Sequence, residues 1–208
     1  MDKVGLIFRN PDGSFRVGPI PLLGGPFESA SDYFKSWARV NSLPSSKITA
    51  DYNRDFPDRI SRLAAHLSSY DRGPFPIFHP DFANHNLLVN DQYDLIGVID
   101  WGGSLTLPRE FIQLFPMDLQ SLHEIFWKNG PFDGPRARER QANVEAWQMQ
   151  YISCIKEEET RLGRSDDLSG KIGGIGSQLM ETLLMFERRN QNPLGRLLDV
   201  FEETLVEV

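Results

Sequence analysis

Two short stretches gather the residues whose types and spacing could do chemistry. The first is His79-Pro80-Asp81-Phe82-Ala83-Asn84-His85-Asn86, and the second is Ile99-Asp100-Trp101. Between them, Leu87-Leu88-Val89 and Leu95-Ile96-Gly97-Val98-Ile99 flank the polar run Asn90-Asp91-Gln92-Tyr93-Asp94. Two apolar runs around such a turn predict a β-hairpin. With the turn centred on Tyr93, Leu88 faces Val98 and Asn86 faces Asp100. Directly opposed residues have Cβ atoms about 4.5–5.5 Å apart. An amide oxygen and a carboxylate held that close could share one Mg²⁺, whose ligand bonds are about 2.0–2.1 Å and which commonly keeps water and phosphate oxygens in its other positions. A register shifted by one residue weakens this pairing. Asp81, on the same loop as Asn86, could accept a proton from an attacking hydroxyl or orient it. His79 suits a supporting task, fixing the loop by hydrogen bonds. The competing reading gives Asp81, Asn86 and Asp100 only the turn-shaping work common to Asp and Asn.

These residues need elements to hold them. Residues 4–8 and 15–17 read as a leading hairpin about the turn Asn10-Pro11-Asp12-Gly13, with a Gly- and Pro-rich loop running on to Phe27. Ser29 or Ser31 suits the cap of a helix carrying Tyr33, Phe34, Trp37 and Val40. Residues 57–70 predict a second helix, with Pro57 in its first turn. The apolar character of both faces of the 87–99 hairpin predicts that it is buried, which would hold its polar ends rigidly. Further helices are expected over 118–128, 135–162, 167–189 and 194–206, punctuated by prolines. The fold class is therefore α+β, predominantly helical, with a small β-hairpin carrying the metal-site residues.

Composition narrows the function. Of 208 residues, 40% are hydrophobic and 25% charged, enough to build a core for one domain or one large lobe. Formal net charge is -7 and no basic block occurs, which argues against a nucleic-acid partner. No apolar run has the length of a membrane span or a signal peptide, so the expectation is a cytoplasmic protein without a membrane partner. The lone Cys154 reads as a small buried hydrophobe. Trp37, Trp101, Trp127 and Trp147 read as core, and His66 and His85 as surface or loop. His123 reads as a helix residue with no ligand role. No His pair has zinc spacing. The glycines of Gly170-x-x-Gly173-Gly174-x-Gly176 read as sites of close helix packing, and Glu202, Glu203 and Glu207 as a solvated helix face.

The string from His79 to Asn86, with Asp100-Trp101-Gly102, resembles the catalytic loop and metal-binding strand pair of the aminoglycoside phosphotransferase and choline kinase family, relatives of protein kinases. The resemblance is specific at residues 77–101 and extends more loosely to the opening hairpin, Gly24-Gly25-Pro26-Phe27 and the aromatic helix after it. It implies that Asp81 is the catalytic residue, with His79 as structural support of the loop. It implies that Asn86 and Asp100 are Mg²⁺ ligands, that Asp100-Trp101-Gly102 is the counterpart of Asp-Phe-Gly, and that Mg²⁺ and ATP are the cofactors. On this resemblance residues 1–208 form a kinase-like C-terminal lobe: 1–27 a leading hairpin and loop, 77–101 the catalytic loop and metal hairpin, and 110–208 a helical substrate-side region. Pro80 and Gly102 depart from the pattern of many relatives.

The family's glycine-rich loop and ATP-binding Lys have no counterpart before residue 77, so the N-terminal ATP-binding lobe reads as absent. The function expected is ATP-dependent phosphoryl transfer to a hydroxyl of a small molecule, cationic acceptors being among the candidates, weak or lost in this chain alone. The alternatives are a pseudoenzyme or regulatory lobe without ATP use, and a metal-dependent hydrolase built on Asp81, Asp100 and His79.

Overall fold

The computed structural model describes residues 1–42, 55–120, 135–184, 186 and 194–206. The chain starts as strand β1 (Gly5–Arg9), turns through Asn10–Ser14 and returns as β2 (Phe15–Gly18). The turn closes itself: the Asp12 carboxylate accepts from the backbone N and hydroxyl of Ser14, at 2.9 and 2.6 Å. Gly13 takes the left-handed φ of 86° that its place in the turn requires.

Helix α1 (Ala30–Asn41) begins at Ser29, whose hydroxyl accepts from Asp32 N at 3.0 Å. It buries Tyr33, Phe34 and Trp37 along one stripe. Helix α2 (Phe56–Leu63) carries Pro57 in its first turn and buries Phe56 and Ile60. It is shorter than the expected 57–70, because the chain leaves the helix by tight turns from Ala64 onward, with His66 N bonded to Leu63 O at 2.7 Å.

Strand β3 (Ile77–Phe78) leads into the 79–86 loop, then β4 (Leu87–Val89), β5 (Leu95–Val98) and β6 (Leu105–Thr106). Two sheets result: a four-stranded antiparallel sheet in the order β2-β1-β6-β3, and the separate β4–β5 hairpin. The stretch from 79 to 104 is thus an excursion between two neighbouring strands of one sheet. Thr106 fastens that sheet. It is fully buried, and its hydroxyl accepts from Gly5 N at 3.1 Å while donating to Lys3 O at 2.7 Å.

After β6 come two short 3₁₀ turns (Arg109–Gln113 and Met117–Leu119), then α3 (Pro135–Arg161), α4 (Leu168–Lys171), α5 (Ile175–Leu184) and α6 (Leu194–Val206). The expected 118–128 helix falls mostly outside the described residues, as do His123 and Trp127. The expected 167–189 helix is broken at Gly173, which has φ +73°. A Cβ there would lie 2.8 Å from the Phe115 ring, so this glycine serves a turn and a close loop approach, not helix-on-helix packing.

The core joins α1, α2, α5 and α6 through Phe34, Trp37, Phe56, Ile60, Phe111, Leu179, Leu183 and Leu198. Phe34 stacks on Phe111, and Phe56 on Phe186. Such ring pairs add to their area burial. Burial pushes the Tyr33 phenol far above its usual range. Arg59 of α2 reaches across to α6, pairing with Asp199 at 2.8 Å and Glu202 at 3.0 Å, so Glu202 is a cross-helix partner and not only a solvated residue. The architecture is mixed α+β with helix predominant and small antiparallel sheets.

Three expectations about burial are corrected. The β4–β5 hairpin is not buried: Leu95 is 59% and Ile96 66% exposed, and Leu88 and Val89 nearly half. It pairs with no strand of the main sheet, and in its strands only Leu87, Gly97 and Val98 are partly buried. Cys154 is exposed on α3. Trp37 is core, but Trp101 and Trp147 are each about half exposed, at 50% and 53%. No helix among the described residues is long and apolar enough to cross a membrane.

Candidate active site

The loop after β3 is pinned by its histidine. His79 is 7% exposed, and both ring nitrogens are used. Nε2 donates to Ile99 O at 2.9 Å, and Nδ1 accepts from Asp81 N at 3.2 Å. The second bond requires a bare Nδ1, which assigns the hydrogen to Nε2. The ring meets Trp101 edge-on at 4.8 Å, and the Trp101 indole donates to Val98 O at 2.8 Å. His79 therefore ties the start of the loop to the end of β5.

Asn86 closes the loop. It ends the 3₁₀ turn Asn84–Asn86 and is almost fully buried. Its Nδ2 donates to Asp81 O at 2.7 Å and to Asp81 Oδ2 at 3.0 Å. The amide nitrogen is spent on Asp81, which leaves the amide oxygen as the group able to hold a cation.

The hairpin register differs from the one expected. Leu87, not Leu88, pairs with Val98, and Ile99 N donates to Asn86 O at 2.9 Å, so Ile99 lies across from Asn86. The physical reason is in the turn. Asn90 Oδ1 accepts from Asp94 N, and Asn90 N donates to Asp94 O, which closes the strand ends on Asn90 and Asp94 and centres the turn on Gln92. An irregularity between Leu88 and Val89 then takes up Ile96 as the extra residue, since Val89 pairs with Leu95 and Leu88 with Gly97. Asp100 sits one residue beyond the position opposite Asn86, at the left-handed φ of 58° that Asp tolerates. A Cβ on Gly102 would lie 3.4 Å from Asp100 Oδ1, so glycine keeps the space beside that carboxylate open.

Two residues join the site that the spacing did not single out. His85 Nε2 lies 2.8 Å from Asp81 Oδ2. Its hydrogen bond, helped by Asn86, holds the Asp81 carboxyl below the usual carboxylate range. In return the Asp81 hydrogen bond and charge raise the His85 imidazole, with smaller contributions from Asp118 and Asp100. The i,i+4 spacing from Asp81 was the signal for His85. Asp118, whose Oδ2 accepts from Asn84 N at 2.6 Å, arrives from 34 residues away, and no local pattern announces it. Three acidic residues thus gather around one exposed imidazole beside the loop.

The donor chemistry suits a hard cation. Asn86 and Asp100 offer an amide oxygen and a carboxylate, an oxygen set of the kind Mg²⁺ takes while keeping water or phosphate on its other positions. No group of three or more His, Cys, Asp or Glu side chains is arranged to hold a metal among the described residues. Compared with family models, with curated proteins and with solved structures, the chain finds no match.

Proposed function

We propose that the chain is the catalytic lobe of an ATP-dependent phosphotransferase acting on a hydroxyl of a small molecule. The observation that carries this reading is the pair of hydrogen bonds that Asn86 Nδ2 donates to the backbone O and the carboxylate of Asp81. It builds one rigid unit from a candidate base and a candidate cation ligand, and presents them at the end of a hairpin that also delivers Asp100.

In this reading the acceptor hydroxyl meets Asp81. Oδ2 is occupied by His85 and Asn86, so Oδ1 is the oxygen that takes the hydroxyl. A carboxylate held below its usual range is ionised at neutral pH and a weak resting base, so its first task is orientation. As the acceptor oxygen bonds to the γ-phosphorus and the bond to the ADP oxygen breaks, the hydroxyl proton passes to Asp81. Asn86 and Asp100 would hold Mg²⁺, which would supply charge neutralisation for the phosphates. Such transfers depend on positioning and electrostatics more than on covalent help from the protein.

The apolar hairpin stands exposed beside the site, which favours a second reading, a binding lobe without turnover. Thermal unfolding with Mg²⁺–ATP separates them, because a ligand of the folded state raises the melting temperature. Phosphotransferase ancestry with retained nucleotide use predicts a rise that EDTA abolishes and that Asp100→Ala removes. No rise at saturating Mg²⁺–ATP sinks the first reading and leaves the second.

A further inference from the structure

A cavity of about 300 Å³ lies beside the catalytic loop, between the Met117–Leu119 turn and the first half of α3. That volume is at the lower end of the roughly 300–1,000 Å³ usual for small-molecule sites. Arg140, Asn143, Val144 and Trp147 line it from α3. Their spacing of i, i+3, i+4 and i+7 puts them on one helical face. Glu139 adds a carboxylate from the same helix, and Asp118 forms the facing wall. Gln148 Nε2 holds the two elements together by donating to Leu119 O at 2.7 Å. The Asp118 wall is continuous with the loop of Asp81, since Asp118 binds Asn84 N.

The lining has a particular chemistry. Trp147 offers a half-exposed indole. Around it stand two carboxylates, an amide and a guanidinium, all planar groups able to make paired hydrogen bonds. Their formal charges sum to one negative, which suits neither a polycation nor a polyanion. A ligand that is apolar on its face and hydroxylated round its edge fits both features. We propose that this cavity binds a neutral ring polyol of hexose size, with Trp147 against the C–H face and Asp118, Glu139, Arg140 and Asn143 bonded to the hydroxyls. As the acceptor site it rests on the phosphotransfer reading; as a binding site it does not.

The test is an NMR titration of the full chain, following the Trp147 indole N–H, identified by its loss in Trp147→Phe. The probes are glucose, galactose, mannose and myo-inositol, against choline and glucosamine, with no nucleotide or metal present. At least one neutral polyol should move the resonance saturably at millimolar concentration. Asn143→Leu, and Trp147→Ala followed through the Asn143 side-chain amide, should each weaken binding about tenfold, a difference of about 1.4 kcal/mol. Both positions are exposed, and unchanged circular dichroism checks the fold. Choline or glucosamine binding more tightly than every neutral polyol overturns the proposal, as does silence from all four polyols at tens of millimolar. Polyol binding beside a failed Mg²⁺–ATP shift removes phosphotransfer and keeps the site. Polyol silence beside a successful shift removes this site alone.

Discussion

Replacing His79 tests whether one side chain couples the 79–86 loop to the hairpin. The ring makes two hydrogen bonds, to Ile99 O and from Asp81 N, and packs against Trp101 and Phe82. His79→Phe keeps a ring of similar size in the same contacts but removes both bonds. Each lost bond costs about 1 kcal/mol net, and more where the abandoned partner stays dry, so His79→Phe should cost about 2–3 kcal/mol. His79→Ala also leaves a hole beneath Trp101 and should cost about 3–4 kcal/mol. In a chain of this size that lowers the melting temperature by roughly 10 °C. Urea denaturation supplies the free energies, and an unchanged m-value shows that the native state has not loosened generally. Amide shifts in the Phe variant should concentrate at Asp81, Ile99 and Asp100. A His79→Phe protein within about 0.5 kcal/mol of the parent, the range of an ordinary surface change, refutes the reasoning.

The His85 imidazole should titrate above its usual 6.5 by NMR and fall back toward that value in Asp81→Asn. Since the folded His85 value is raised, its stabilising effect is present below the unfolded value and lost as pH rises through the folded one; the lowered Asp81 value is stabilising above its unfolded value and lost as pH falls through the folded one. Asp81→Asn should therefore destabilise more at mildly acidic pH than well above the imidazole range, and equal effects at both would contradict the pairing. Arg59→Ala, which strips a mostly buried guanidinium from Asp199 and Glu202, should cost about 2–3 kcal/mol in urea denaturation. Glu202→Ala, removing a more exposed partner, should cost about 1 kcal/mol or less.

Local signals carried much of the fold. Asn10–Gly13, the Ser29 cap and the 194–206 helix all lie where turn chemistry and apolar spacing put them, because those features depend on neighbours a few residues apart. The loop from His79 to Asn86 is closed partly from within, by the bonds of His85 and Asn86 to Asp81, and partly from outside, by Ile99 and Asp118. What could not be read depends on distant or small energy differences. The hairpin register turned on whether Asn90 closes on Asp94, a choice of one residue. Exposure of Leu95 and Ile96 depends on what packs over them, and alternation alone cannot tell an uncovered apolar face from a covered one. Asp118 and Glu202 reach their partners across 34 and 143 residues, beyond any window of pattern.

The most direct probe of the central claim is paramagnetic broadening by Mn²⁺, substituted for Mg²⁺ in the presence of ATP. If an amide and an acid flanking Asp81 hold the cation, amides of residues 81–86 and 99–102 broaden first, and Asp100→Ala abolishes the pattern. Broadening centred elsewhere, or none at these residues with ATP in excess, contradicts it.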